Sequence, residues 1–355
     1  MNYTPDLLVV GAGLIGLGIA WRCAQKGLRV ATVDPDPGRG ASRVGAGLLL
    51  QAGGRISRRH LALRQASLES YPAFVEELRA ETGRHITFSQ RGMLTVAMGR
   101  TALESLEGLA GCLRGLGVEN ELLDADECRR REPALSDQVG AGLYTPDAQV
   151  DPEELQLALR TACLARGVSM LEARVVAVES NVARTSEGEV LEAGQVLVAA
   201  GCWSGQLLPE LGVFPVKGEV IHLRGAADLL TANLQWQQQD LYVANRGDGR
   251  LVIGASEEEV GFDLRPTAGA VSRLLRQAVE LVPALADFEL VETRAGLRPK
   301  VADGLPVLGR MSNGVVVASG HYRNGILLTP VTAASMAELV VSGHTEPVIE
   351  PFRPR

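Results

Sequence analysis

Two glycine-rich turns, each joining an apolar run to a helical stretch, constrain this chain more than any other feature. Near the start, Leu7 to Val10 meets Gly11-Ala12-Gly13-Leu14-Ile15-Gly16. Near the end, Val315 to Ala318 meets Ser319-Gly320-His321-Tyr322-Arg323-Asn324-Gly325. Each reads as a strand running into the N-terminus of a helix. Helix N-termini carry unpaired N–H groups and positive dipole character, so they receive anions. One such site suits a pyrophosphate, and the other can face a second electron-rich part of the same long ligand.

The first turn has the context that a bare GxGxxG lacks. It follows an apolar strand, opens a helix with apolar positions at Ile15, Ile19, Ala20, Cys23 and Ala24, and is succeeded by a second strand ending at Asp34. Gly11 permits the tight turn, Gly13 lets backbone approach a pyrophosphate, and Gly16 allows close helix–strand packing. Asp34 is placed to accept hydrogen bonds from ribose hydroxyls. The bland alternative is a structural turn beside a solvated aspartate. Shortly afterwards, Ala41-Ser42-Arg43-Val44-Gly45-Ala46-Gly47 offers small residues whose N–H groups can reach a phosphate or a ring edge. It reads equally as a flexible loop.

The rest of the chain alternates textures. Residues 57–82 read as helix with a kink or restart at Pro72, Ile86 to Ala97 as strand, and 101–116 as helix. Asp151-Pro152-Glu153-Glu154 is a helix start, with an N-cap aspartate and proline at the first helical position. Val175 to Val178 and Val196 to Ala200 are apolar strands. From Val216 to Leu223 the strands become polar-alternating, as an antiparallel sheet with one wetter face requires. Residues 267–286 read as helix and Phe288 to Arg294 as strand. The last helix runs to about Ser342, with Pro330 in its first turn and Gly343 as its stop. The dinucleotide-type texture is left and re-entered, so the two expected domains are discontinuous.

Composition excludes several classes. The chain has 355 residues and a formal net charge of −7, which argues against a nucleic-acid partner. No run reaches the roughly 18–20 apolar residues needed to span a bilayer, and a first strand beginning at Leu7 leaves little room for a signal peptide. A cytoplasmic protein is expected. Cys23, Cys112, Cys128, Cys163 and Cys202 form no CxxC pair, and the five histidines form no HExxH motif. Neither a metal site nor a dithiol centre is indicated.

Three residues stand out as candidates for chemistry. Arg298 lies among glycines and prolines, in what reads as a shaped loop. A guanidinium there suits a carboxylate, although a surface charge or an ion pair is the commoner role. Tyr242, on an expected strand, either donates to a substrate oxygen or is a half-buried aromatic. Arg323, in the late turn, either contacts substrate or pairs with an acid. The helix following that turn presents its positive end to any negative charge on a reduced cofactor ring.

Taken in order, GAGLIG, ASRVGAG, GCWSG (201–205), PVKGE (215–219), GRLVIGAS with GFD, AGLRPKVADGLPVLG and GHYRNGILL resemble the FAD-dependent D-amino-acid oxidase superfamily, and within it the glycine oxidases of thiamine biosynthesis. The match covers nearly the whole chain. It implies an α/β (α+β overall) architecture: a glutathione-reductase-type FAD-binding Rossmann domain (1–84, 141–215 and 291–355) with a mixed-sheet substrate domain (85–140 and 216–290). It implies oxidation of a small amino acid to the imine with O2 reduced to H2O2. An amino-acid dehydrogenase using another acceptor, or an inert flavin-binding scaffold, are the competing readings.

The resemblance also implies residue roles. Leu14, Ile15, Asp34, Pro35, Ala41, Ser42, Ala46, Gly47, Leu48 and Val175 match FAD-contacting positions, alongside Gly11, Gly13, Gly16 and Gly201. Gly320, His321, Tyr322, Arg323, Asn324, Gly325, Ile326 and Leu327 match the turn at the flavin edge. Arg298 matches the arginine that grips the substrate carboxylate, Tyr242 an active-site tyrosine, and Arg323 a second substrate-side arginine. With no cysteine after Cys202, the FAD is expected to be non-covalent. Glu257 stands where some relatives carry an apolar pocket residue, so it either narrows the substrate range or faces solvent. A homotetramer is the family expectation.

Overall fold

The computed structural model describes residues 4–37, 40–51, 57–99 and 101–354. Four sheets organise it. The first has six strands, in the order Val307–Arg310, Val316–Ser319, Gln195–Val198, Leu7–Val10, Val30–Val33 and Ser169–Leu171. All neighbours in it are parallel except the first pair. Its central strand, Leu7–Val10, is buried throughout, as a strand with both faces covered must be. The helices Leu14–Gln25 and Thr329–Ser342 pack together beside it, and Gly18 leaves room for Ala333 and Thr329 between them.

The second large sheet has eight strands, in the order Glu289–Lys300, Phe214–Arg224, Arg250–Gly254, Leu241–Asn245, Asn233–Trp236, Met93–Met98, Val139–Thr145 and Glu121–Asp124. It is antiparallel apart from the pairing of Asn233–Trp236 with Met93–Met98. The helix Ala268–Leu281 packs across one face, burying Leu274, Ala278 and Leu281 against Ile221, Val243 and Ile253. The domain boundaries expected at 140/141 and 290/291 fall inside strands of this sheet. Two three-stranded sheets complete the fold, Val175–Val178 with Val182–Thr185 and Val190–Glu192, and Leu48–Leu49 with Ala148–Val150 and Phe88–Ser89.

Several expected elements differ in detail. The helix Arg58–Thr82 runs through Pro72 without a restart. It starts at Ser57, whose side chain accepts from the His60 amide. The single strand expected over Ile86 to Ala97 is two, Phe88–Ser89 and Met93–Met98, in different sheets. Gly92 (φ 77°) breaks it, because the Tyr144 ring fills the space a side chain would need there. The helix expected over 267–286 stops at Leu281, and Pro283 opens a tighter turn through Asp287. Ala41–Val44 is a short helix rather than a loop.

The segment around Arg298 is strand, not a shaped loop. Glu289–Lys300 pairs along its length with Phe214–Arg224, and Pro299 lies opposite Pro215. A proline is tolerated there because Glu289–Lys300 is the sheet's edge, where one side of the backbone needs no partner.

Candidate active site

A cavity of about 1310 Å³ runs between the two large sheets. One wall is the carboxyl-end margin of the six-stranded sheet, through Val10, Val33, Ala199 and Ala318. Open parallel sheets bind ligands outside that end. The other wall is the eight-stranded sheet, from which Arg298, Gly218, Tyr242 and Gln235 face inward.

At one end, Gly13, Leu14 and Ile15 present the start of the helix Leu14–Gln25. Ser42 Oγ accepts from the Leu14 amide at 3.3 Å, which ties the second glycine-rich segment to the first. Asp34 lines the cavity, held by the amides of Ala12 at 2.7 Å and Asp36 at 2.9 Å. Pro35, Ala41, Ala46, Gly47, Leu48, Val175 and Gly201 line the same half.

Gly11, Gly16, Gly320 and Leu327 do not line the cavity. Gly11 (φ 109°) turns tightly against the Ala199 carbonyl, and any side chain at Gly16 would strike the Gly11 carbonyl. Gly320 packs against Val301, and Leu327 is buried in the core. These four shape the turns that carry the lining residues.

The late turn is not a simple strand-to-helix junction. After Ser319, residues Tyr322–Asn324 form a tight helical turn, and the helix proper begins at Thr329. Its shape is fixed from outside. Tyr71 donates to the Ile326 carbonyl and Ser67 to the Leu327 carbonyl, both at 2.6 Å, and Ser319 Oγ meets Ser204 Oγ at 2.8 Å. His321, Tyr322, Arg323, Asn324, Gly325 and Ile326 line the cavity. His321 is buried and meets Thr332 Oγ1 at 3.3 Å. Burial, reinforced by nearby His60, pushes its pKa down to about 3. Burial and the Arg64 and Arg59 charges push His60 down to about 4. Both imidazoles are neutral at neutral pH.

Arg298 is half-buried, and its guanidinium donates to the carbonyls of Ser256 at 3.1 Å and Lys217 at 3.5 Å. Among the described residues it has no carboxylate partner. Its backing is unusual. Lys217 is 1% exposed and pairs with the fully buried Glu219 at 3.0 Å and with Glu258 at 3.1 Å. Burial opposes the lysine's charge, but the hydrogen bonds to these carboxylates outweigh it and raise the pKa. Glu219 also accepts from the Thr267 amide at 3.0 Å. Tyr242 faces the cavity with its hydroxyl against Gly254, and burial raises its pKa while the Arg298 charge opposes that rise.

Arg323 is placed differently. It forms an ion pair with Asp240 at 2.9 Å and a closer one with Glu257. The Tyr322 hydroxyl also donates to Glu257. Glu257 therefore belongs to the pocket rim, and burial's upward push on its pKa is outweighed by Tyr322 and Arg323. Sequence reasoning missed His60, Arg64, Met93, Gln235 and Asp240 as lining residues. None sits in a glycine-rich motif, so no local pattern marks them. Cys202 lines the cavity too, and burial pushes its thiol up to about 12, keeping it protonated.

This cavity fits an extended flavin dinucleotide. An acidic residue and a helix N-terminus stand at one end, with backbone cleared of side chains at Gly13 and Gly201 and a turn of backbone groups beyond. The chain belongs to the FAD-dependent oxidoreductase (DAO) family, whose model matches residues 6–339. It is a flavin-dependent amine oxidoreductase that uses FAD. It is 34% identical to a glycine oxidase of Geobacillus kaustophilus, over 99% of this chain and 97% of that protein. The crystal structure of glycine oxidase from that organism superposes with a TM-score of 0.94, covering 99% of both chains. A bifunctional protein ThiO/ThiG of Synechocystis is 33% identical over all of this chain and 54% of its own length. An iminodiacetate oxidase from Chelativorans shares the fold at a TM-score of 0.89 and 27% identity, covering 98% of both chains.

Proposed function

We propose that this chain is a glycine oxidase. It converts glycine, or a closely related small amine or D-amino acid, to the imine, which water hydrolyses to oxo acid and ammonia. The two electrons pass through FAD to O2, giving H2O2. Its place is the supply of glycine imine for the thiazole of thiamine, a reading supported by the ThiO/ThiG relative. The observation that carries the proposal is Arg298, a cavity-lining guanidinium whose partners among the described residues are backbone carbonyls.

In this reading Arg298 binds the substrate carboxylate through two parallel charge-assisted bonds. Tyr242 donates to the same carboxylate or to its neighbour. Together they fix the α-carbon, and most of the rate enhancement comes from orientation and exclusion of water. Bound FAD supplies the two-electron acceptor for the hydrogen leaving the α-carbon. The neutral substrate amine provides the electron pair, so the chain need supply no general base. His60 and His321 remain neutral and add no competing charge.

The FAD is held without a covalent bond by the turn at Gly13, by Asp34 and by the segment from Ala41 to Leu48. The six-stranded sheet forms the core of a cofactor domain and the eight-stranded sheet that of a substrate domain. Their boundaries lie outside the strands Val139–Thr145 and Glu289–Lys300. Homotetrameric assembly and a cytoplasmic location complete the reading. Consistent with the latter, no helix among the described residues is long and apolar enough to cross a membrane.

The test is anaerobic mixing of the purified holoenzyme with glycine while the visible flavin spectrum is followed. Bleaching, then stoichiometric peroxide on admission of air, is the expected result. Bleaching without peroxide would move the assignment to a dehydrogenase, and a spectrum unchanged by glycine, sarcosine and small D-amino acids would end it.

A further inference from the structure

The geometry points to Glu257 and Asp240 as the residues that restrict this pocket to substrates bearing a single negative group. The inference rests on the amino-acid oxidase reading above. Beside Glu257 the cavity is lined by two further cationic side chains, Arg323 and Lys300. Both are matched by acids. Arg323 lies between Asp240 and Glu257. Lys300 stands 3.2 Å from Glu259 and 3.9 Å from Glu257. Arg298 faces backbone carbonyls.

The cluster is assembled from separate parts of the chain. Asp240 precedes the strand Leu241–Asn245, Glu257 follows Arg250–Gly254, and Arg323 comes from the late turn. Two of its members have left-handed backbone without being glycine, Asp240 at φ 49° and Tyr322 at φ 51°. Such positions are strained and persist where surrounding contacts over-determine them. Here the contacts are the ion pairs of Asp240 and the hydrogen bond from Tyr322 to Glu257.

An arginine with open donors would take a second carboxylate bidentately. In this pocket a ligand's second carboxylate would have to displace Glu257 or Asp240 from Arg323. The displaced acid would remain beside it as an unpaired like charge. A substrate with one carboxylate and a neutral remainder meets no such penalty. The fold itself does not impose this limit, since a neighbour of the same architecture is described as an iminodiacetate oxidase. The limit therefore resides in side chains at the rim.

The experiment uses FAD-loaded enzyme as wild type, Glu257→Gln, Asp240→Asn and the double variant. Turnover is measured with glycine and with iminodiacetate. In parallel, binding of acetate and of malonate is read from perturbation of the flavin spectrum, with no turnover required. The wild type should favour glycine over iminodiacetate and acetate over malonate. In the double variant both the iminodiacetate-to-glycine and malonate-to-acetate ratios should rise by about tenfold or more. A role confined to stability would lower flavin content or thermal stability but leave the ratios fixed. Ratios unmoved in the single and double variants, or a wild type that takes iminodiacetate as well as glycine, would overturn the inference. If glycine fails to reduce the flavin while malonate and acetate discriminate as stated, the oxidase reading falls and the charge filter stands.

Discussion

The guanidinium of Arg298 packs against the α-carbon of Gly218, so closely that a methyl group built there would collide with it. Gly218 lies opposite Gly296 in the pairing of the two strands, two residues before Arg298 on the facing strand. Glycine is needed at 218 for space, since the arginine reaches back over the neighbouring strand to the Lys217 and Ser256 carbonyls.

Two substitutions exploit this contact. Arg298→Ala removes a charge-assisted pair and should lower kcat/KM for glycine about a hundredfold, mainly through KM. Gly218→Ala leaves the arginine present but displaced, and should cost about tenfold while FAD content stays normal. Steady-state kinetics on protein of matched flavin content decide it. Full activity in Gly218→Ala would show that the contact does not hold the guanidinium in place.

Asp34 accepts from two backbone amides and lines the cavity at the dinucleotide end. Asp34→Ala should weaken FAD retention by roughly ten- to a hundredfold, the loss of charged hydrogen bonds. The measurement is fluorescence of flavin released during dilution. Retention equal to the wild type would remove Asp34 from cofactor binding.

Lys217 and Glu219 form a buried pair behind Arg298. Lys217→Met should destabilise the fold by about 3–5 kcal/mol, because Glu219 is left buried and unpaired. The double variant with Glu219→Gln should recover much of that, since it removes the stranded charge. Urea denaturation of the single and double variants checks it, and a double variant no more stable than the single would contradict the argument.

The pH dependence of stability follows from His321. Its folded pKa, about 3, lies below the unfolded value of 6.5, so the unfolded chain binds the proton first as pH falls. His321 therefore takes nothing from stability well above 6.5 and destabilises progressively below it. Between pH 7 and 5 the loss should be about 2 kcal/mol from this group alone. Urea midpoints across that range should fall less in His321→Gln than in the wild type, whereas parallel slopes would assign the acid sensitivity elsewhere.

Local features were readable where one stretch of chain contains its own cause. Gly11 to Asp34 is such a stretch, and so is the Asp151 cap, which accepts from the Glu153 amide at 3.0 Å. Features that depend on a distant neighbour were not. The break at Gly92 exists because of the Tyr144 ring, and the strand through Arg298 exists because Phe214–Arg224 supplies its partners. The late turn owes its shape to Ser67 and Tyr71, far away in sequence on a helix that carries no motif.

The sequence by itself determined the dinucleotide-binding turn and the alternation of strands and helices around it. Those depend on backbone conformation and apolar spacing within one contiguous segment. Only the tertiary structure decided what each candidate arginine is able to do. Arg298 and Arg323 are the same residue type, each beside glycines. One donates to backbone carbonyls and is ion-paired to no acid among the described residues, and the other is clamped between Asp240 and Glu257. A guanidinium's availability depends on the charges folded against it, and those come from strands remote in sequence.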